Sequence, residues 1–251
     1  RSAKDLEIAL DVMAGPMGRR SKGWQLNLAE CKKTSLKDFK VAIWSNDELA
    51  PVSKEIAQRC EEVGNKLNSV GTTVSFAAKP EHDFMKAEIN YQLLLQSVMQ
   101  SGLPEDEYQK IEELASSLDK NDLSVDAILA KGTVLSHRNW LRQNYAREQI
   151  KISWSKFFEE WDVLICPQLA TTAIEHDHKK ISERTVMVDN QEQRYFQQIF
   201  WPGLAVNAHL PSTVFPTGLS SDGMPIGLQV IGGAYEDKTT IKFAELYEEE
   251  F

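Results

Sequence analysis

Leu210-Pro211-Ser212-Thr213-Val214-Phe215-Pro216-Thr217-Gly218 and Gly223-Met224-Pro225-Ile226-Gly227-Leu228-Gln229-Val230-Ile231-Gly232 decide how this chain is read. Each is a short run rich in β-branched and apolar residues, and Ser220-Ser221-Asp222-Gly223 between them has the composition of a tight turn. They predict two paired strands. The second leads through Gly232-Gly233 into a helix from Asp237, a strand–Gly–helix step.

Upstream, Val163-Leu164-Ile165-Cys166 is a continuous apolar run closed by Pro167, which predicts a strand buried on both faces. Phe39 to Trp44 reads as another strand. A helix from about Pro51 follows, with Ile56, Cys60, Val63, Leu67 and Val70 recurring at helical spacing; Gly71 ends it and Thr72 to Ala77 make a further strand. That strand–helix–strand unit has the length of a parallel crossover. At the N-terminus, Ser2-Ala3-Lys4-Asp5 is a capping box, Leu6, Ala9, Leu10 and Met13 form one apolar face, and Gly15-Pro16 stops the helix. Residues 81 to 160 predict about three helices, divided at Pro104 and near Asp119-Asn121-Asp122, the last running from about Thr133 to Glu160. Residues 168 to 194 predict a polar loop with a turn at Asp189-Asn190, and a short helix containing Pro202 precedes the strand pair. Strands alternating with helices imply an α/β fold, a mixed β-sheet flanked by helices. With no repeat and no low-complexity linker, 1–251 is read as a single domain.

The chain has 251 residues, a formal charge of −9, 42% hydrophobic and 26% charged residues, ordinary values for a globular protein able to bury a substantial core. The acidic balance argues against nucleic acid or an anionic membrane as partner, since both need a basic face, and Lys32-Lys33 and Lys179-Lys180 are isolated pairs. No apolar run approaches the roughly 18 residues that span a bilayer. Three cysteines, Cys31, Cys60 and Cys166, at spacings unlike a zinc or redox motif, read as free thiols of a cytoplasmic protein. Starting at Arg1 and entering a helical pattern at once, the sequence reads as part of something longer.

In order and spacing, these segments resemble the amidase signature family of serine amidohydrolases. Arg1 to Leu6 with Leu10 to Gly15 resembles the helix just after the family's catalytic core. Phe39 to Val74 is similar to its next strand–helix–strand unit. Trp161-Asp162-Val163-Leu164-Ile165-Cys166-Pro167 resembles its aromatic-Asp-apolar-Pro strand, and the strand pair with Asp237 to Glu245 completes the pattern. Residues 81 to 132 match only as generic helix. The resemblance implies an enzyme needing no metal or organic cofactor. A neutral lysine would draw a proton through a bridging serine from a nucleophilic serine, and backbone amides would stabilise the oxyanion. An acyl-enzyme would release ammonia or an amine, then acid. The segment carrying those groups precedes Arg1 in the family, and no Gly-Gly-Ser-Ser-Gly-like loop occurs here, so no catalytic residue is assigned. The resemblance places Ile199, Phe200 and Trp201, with His209, near the acyl pocket. Large aromatics there favour an apolar or aromatic acyl group. Ile199, where ammonia-releasing relatives are expected to carry an acid, argues against an amino-acid amide. His209 stands where the family's Asn-x-x-Gly-Leu-Pro has glycine.

Other residues are tempting and are set against plainer roles. Ser220-Ser221-Asp222-Gly223 reads as the turn, not a serine loop. Glu175-His176-Asp177-His178 has metal donor atoms but no evident third ligand, so His176 and His178 are read as a polar loop and no metal is assigned. Gly232-Gly233 is followed by Glu236 and Asp237, which would repel an anion. Cys166 lacks a recognisable histidine partner and reads as a small buried residue. His137, Trp140 and Arg142 read as packing on the long helix. The leading expectation is the C-terminal scaffold and pocket wall of an amidase acting on a small-molecule amide, inactive alone and open to homo-dimerisation through uncovered apolar surface. The alternatives are a non-catalytic interaction module derived from an amidase and, remotely, a metal hydrolase built on His176 and His178.

Overall fold

The computed structural model describes residues 2–180 and 183–251. They gather into two compact units, one made of Arg1–Pro80 with Ser155–Phe251, the other of Glu81–Trp154.

Among the described residues the first unit is built on seven strands: β1 (Lys40–Ile43), β2 (Thr73–Ser75), β3 (Val163–Pro167), β4 (Thr185–Val188), β5 (Gln191–Arg194), β6 (Ser212–Leu219) and β7 (Pro225–Gly232). Five form one sheet in the order β2-β1-β3-β7-β6, while β4 and β5 make a separate hairpin. β1 runs parallel to β2 and β3, and β7 runs antiparallel to β3 and β6, so the sheet is mixed. Its helices are α1 (Ala3–Met13), α2 (Lys54–Ser69), α7 (Phe200–Ala208) and α8 (Asp237–Glu250).

The apolar patterns place these elements. Every residue of β3 is buried, as expected of a central strand covered on both faces. Asp162, just before it, accepts from the Lys40 N–H at 2.7 Å and pairs with Lys33 at 2.9 Å, aligning the start of β3 with β1. α2 turns Ile56, Cys60, Val63 and Leu67 inward. A Cβ on its Gly64 would lie 2.6 Å from the Phe76 ring and 3.0 Å from Ile43, so glycine lets this helix approach the sheet closely. Phe39, Phe215, Phe243 and Tyr247 pack edge-to-face at 4.9–5.9 Å between sheet and α8. The capping box at Ser2 is present: its hydroxyl accepts from the Asp5 N–H, and the Asp5 carboxylate accepts from the Ser2 N–H at 3.0 Å.

β6 extends past Pro216 to Leu219 through a bulge at Gly218, whose φ is +115°. Arg59 of α2 lies against Gly218 and donates to the carbonyls of Thr217 and Leu219, tying the helix to the bulged strand. The turn beyond it is closed by Ser220, whose N–H donates to the Met224 carbonyl at 2.7 Å and whose hydroxyl accepts from the Met224 N–H at 3.0 Å.

The second unit is helical: α3 (Phe84–Met99), α4 (Glu105–Ser117), α5 (Val125–Thr133) and the greater part of α6 (His137–Phe157). Three differences from the sequence expectation stand out. The 81–160 region has four helices, because Ser124 caps a separate α5 by accepting from the Ala127 N–H. Thr133 ends that helix, and the long one begins only at His137. The loop over 168–194 contains the β4–β5 hairpin about the expected Asp189-Asn190 turn, with Asp189 at φ +51°. β5, Gln191-Glu192-Gln193-Arg194, has no apolar residue to reveal it. Among the described residues no helix is long and apolar enough to cross a membrane.

Candidate functional site

β1 and β3 are parallel and end side by side, and loops leave both at their carboxyl ends, where open α/β sheets commonly carry sites. The Trp44 N–H donates to the Ile165 carbonyl at 2.9 Å, so the β1 exit stays joined to β3. The Trp44 indole donates to the Asn46 carbonyl at 3.0 Å, and the Asn46 side chain accepts from the Val52 N–H at 3.0 Å, folding 44–53 into a tight loop. Lys79 lies 4.3 Å above the Trp44 ring and 3.4 Å from Asp47.

Against this loop stands the start of α7. Trp201 is wholly buried and its indole donates to the Ala50 carbonyl at 3.1 Å. Trp44, Phe200 and Trp201 meet edge-to-face at 5.3–6.4 Å. Two buried glutamines complete the wall. Gln229 of β7 donates to the carbonyls of Pro167 (3.0 Å) and Trp201 (2.8 Å), and accepts from the Ser212 hydroxyl (3.0 Å). Gln198 accepts from the Ala170 N–H at 3.0 Å, while the Ala170 carbonyl accepts from the Ser53 N–H at 2.8 Å. A bifurcated amide inside a core satisfies carbonyls that strand ends and helix starts would otherwise leave stranded.

Of the pocket candidates, Phe200 and Trp201 are therefore interior aromatics behind the wall, and Ile199 is half-buried beside them. His209 lies at the other end of α7, nine residues of helix away, or about 14 Å at the rise of an α-helix. The structure thus joins the first three and separates the fourth. His209 is the C-cap in the left-handed region (φ 55°, ψ 46°), a conformation that favours the glycine expected there from the family pattern.

His176 and His178 sit on an exposed loop with rings 6.2 Å apart, and among the described residues no group of three donors gathers for a metal. Cys166 is buried, and burial holds its thiol well above the ordinary range, as it does for Cys60, so neither supplies a thiolate at neutral pH. Glu236 takes the N-cap position of α8, and burial with the nearby Asp162 raises its carboxyl. No anion is favoured there.

One serine–histidine pair is invisible in the sequence, its members separated by 71 positions: His82 Nδ1 lies 3.1 Å from the Ser153 hydroxyl in the second unit. The Ser153 proton goes to the Glu81 carbonyl at 3.0 Å, which leaves its oxygen to accept from the imidazole. Burial lowers the His82 pKa to about 4, against a weaker opposing pull from Asp83, so the ring is a poor base. The pair closes the entry and exit of the helical unit; it does not activate a nucleophile.

These contacts join the β1 exit loop, β3, β7 and the start of α7, and comparison with known proteins gives the family. A family model described as Amidase matches residues 1–241. The chain belongs to this family. It is 26% identical over 270 residues to the A subunit of a glutamyl-tRNA(Gln) amidotransferase from Oceanobacillus iheyensis, covering 99% of this chain and 53% of the relative. The corresponding protein of Thermosynechococcus vestitus is 36% identical over 111 residues, 44% of this chain and 21% of that one. A bacterial aryl acylamidase of the amidase signature family superposes with a TM-score of 0.69 at 17% identity, over 100% of this chain and 51% of the other. The amidotransferase A subunit of Thermotoga maritima superposes at 0.68 with 16% identity, over 99% and 51%. These structures share the fold. The chain spans about half the length of the relatives it matches from end to end.

Gln229 and Gln198 are the wall residues that sequence reading passes over. A signal for Gln229 exists: it is the one polar side chain in Ile226-Gly227-Leu228-Gln229-Val230-Ile231. A buried amide in such a run needs partners, and its partners prove to be the wall's own carbonyls.

Proposed function

We propose that this chain is the C-terminal scaffold and pocket wall of an amidase that hydrolyses a carboxamide C–N bond to an acid and ammonia or an amine. The observation that carries the reading is the family match over 1–241 by a chain that spans about half the length of the relatives it matches from end to end. The residues that attack the amide would come from sequence outside these 251 positions, and this chain alone would be inactive. One amidase domain then comprises all of 1–251, with Glu81–Trp154 as a helical insert in the chain between β2 and β3.

In that domain the chain's own groups position and exclude water. Ile199, half-buried at the start of α7, is the candidate that can touch an acyl group. Phe200 and Trp201 hold it in place from behind, so their size sets the depth of the pocket. With no acid at Ile199, an apolar or aromatic acyl group suits the wall better than an amino-acid amide. His209 would contribute through the shape of the α7 terminus.

The test is a fluorophosphonate probe, which labels activated serines, applied to this chain and to the longest product of its gene. Labelling of the longer form alone is the expected result. Labelling of the isolated chain would overturn the proposal, and peptide mapping would identify the serine. Absence of labelling in both forms would favour a non-catalytic interaction module.

A further inference from the structure

Asp11, in the last turn of α1, and Glu30 both pair with Lys238 at the start of α8, Asp11 at 3.1 Å. The chain between them, residues 12–29, therefore leaves and returns at one point. Its tip is a tight turn over Gly18–Lys22, with Gly18 at φ +57° and the Gly23 and Trp24 N–H groups both donating to the Arg20 carbonyl, at 3.1 and 3.0 Å. The loop carries Arg19, Arg20 and Lys22 and no acid, so its local charge is +3. The two acids that bound it are engaged by Lys238, while all three cations of the turn are exposed.

Four large apolar side chains stand on the same loop. Val12, Met13, Met17 and Trp24 are 80%, 76%, 85% and 76% exposed, more than any other large apolar side chain among the described residues. An indole and two thioethers left in water with arginines between them suit an interface that is apolar below and anionic above. Stacking on nucleic-acid bases would employ Trp24 alone, since Val12, Met13 and Met17 have no aromatic face. A fluid surface accepts projecting side chains of this kind without a matching pocket.

We propose that the 12–29 loop docks on an anionic lipid surface: Met17 and Trp24 enter the boundary between headgroups and acyl chains, and Arg19, Arg20 and Lys22 hold the lipid phosphates. The loop's charge of +3 attracts such a surface, whereas the formal charge of −9 over the whole chain repels it. Contact is therefore confined to the loop, requires anionic lipid and weakens with salt. A chain too acidic for general adsorption meets a membrane in this way at one point only. The amidase reading is not needed for it, because no residue of the candidate site lies on the loop.

Co-sedimentation with equimolar phosphatidylcholine–phosphatidylglycerol vesicles tests it, on this chain and on the longest product of its gene. Both forms should bind these vesicles, release them at high salt and ignore pure phosphatidylcholine. Arg20→Gln should weaken binding about fivefold, and Arg19→Gln, Arg20→Gln and Lys22→Gln together about 100-fold, with melting temperatures unchanged within error. Brominated acyl chains should quench the emission of the parent more than that of Trp24→Phe. No binding in either form, binding that pure phosphatidylcholine matches, or binding that survives the triple substitution overturns the proposal. Binding by the isolated chain alone also overturns it, because the loop is then covered in the longer product. Retention on polyuridylate or polyglutamate without vesicle binding would assign the loop to RNA or to an acidic protein instead.

Discussion

The sheet unit and the helical unit treat their buried polar groups differently. The sheet unit buries aromatic and branched side chains in a continuous core, and several of its interior polar groups are anchored: Gln229 satisfies three partners, Gln198 at least one, and Thr213 and Thr240 bond each other at 2.9 Å. The helical unit buries Asn90, Gln92 and Gln96 along one helix, and Gln92 Oε1, Gln96 Nε2 and Arg147 Nε have no partner among the described residues. On the same helix, burial raises the Glu88 carboxyl, which accepts from Gln92 at 2.7 Å. An orphaned buried amide costs about 1–3 kcal/mol, so the two on α3 weigh against the helical unit's stability. The sheet unit also carries every segment whose motifs resemble the family, while 81–132 resembles it only as helix.

The hardest blow to that contrast is Trp201→Ala. Removing a wholly buried indole that bridges α7 to the 44–53 loop should cost about 3–5 kcal/mol. Hydrogen exchange read separately on β3 and α3 amides checks it: loss confined to β3 supports two units of distinct stability, whereas equal loss in α3 means they unfold as one.

A smaller effect is expected from His82. Its folded pKa, depressed by burial from 6.5 to about 4, means that the unfolded chain takes up a proton first as pH falls. The stability it contributes is present above pH 6.5 and lost on acidification toward 4. With the ring partly exposed, we expect a loss of about 1–2 kcal/mol in the helical unit. Glu88 acts with the opposite sign: its raised pKa contributes stability at low pH that declines as pH rises through the folded value. Denaturant titrations followed by Trp140 and Trp154 fluorescence should show a steeper decline between pH 6.5 and about 4 in the parent than in His82→Gln; an unchanged slope would refute the assignment.

The smallest effect sharpens the comparison from the sheet side. His209→Gly relieves a left-handed residue worth about 1–2 kcal/mol of strain but raises unfolded-state entropy by about 0.4–1 kcal/mol. A net gain of between zero and about 1.6 kcal/mol, read from the denaturant midpoint, is expected from that difference. A loss would mean that the imidazole itself holds the α7 terminus.

The strands of the central sheet can be read because burial imprints itself on composition: β3 is all apolar, and α2 repeats its inward residues every three or four positions. The turn at Asp189-Asn190 is legible, yet the hairpin around it is not. Its strands are held by Gln193 donating to the Pro51 carbonyl and by Asp189 accepting from the Lys54 N–H, contacts more than a hundred residues apart. The same holds for the candidate site. Aromatic content singles out Phe200 and Trp201, but whether such rings line a pocket or lie behind it depends on the loop from β1 that covers them.

What the sequence determined by itself is local or periodic: strand and helix positions in the sheet unit, the capping box at Ser2, the 220–223 turn and the family resemblance. Each rests on residues within a turn or two of one another, where backbone preference and burial period act directly. Only the tertiary structure decided the strand order, the free edge at β6, the amide network of Gln229 and Gln198, and the His82–Ser153 closure. These join groups brought together by packing, and an amide or imidazole carries no mark in the sequence of which distant carbonyl or hydroxyl will meet it.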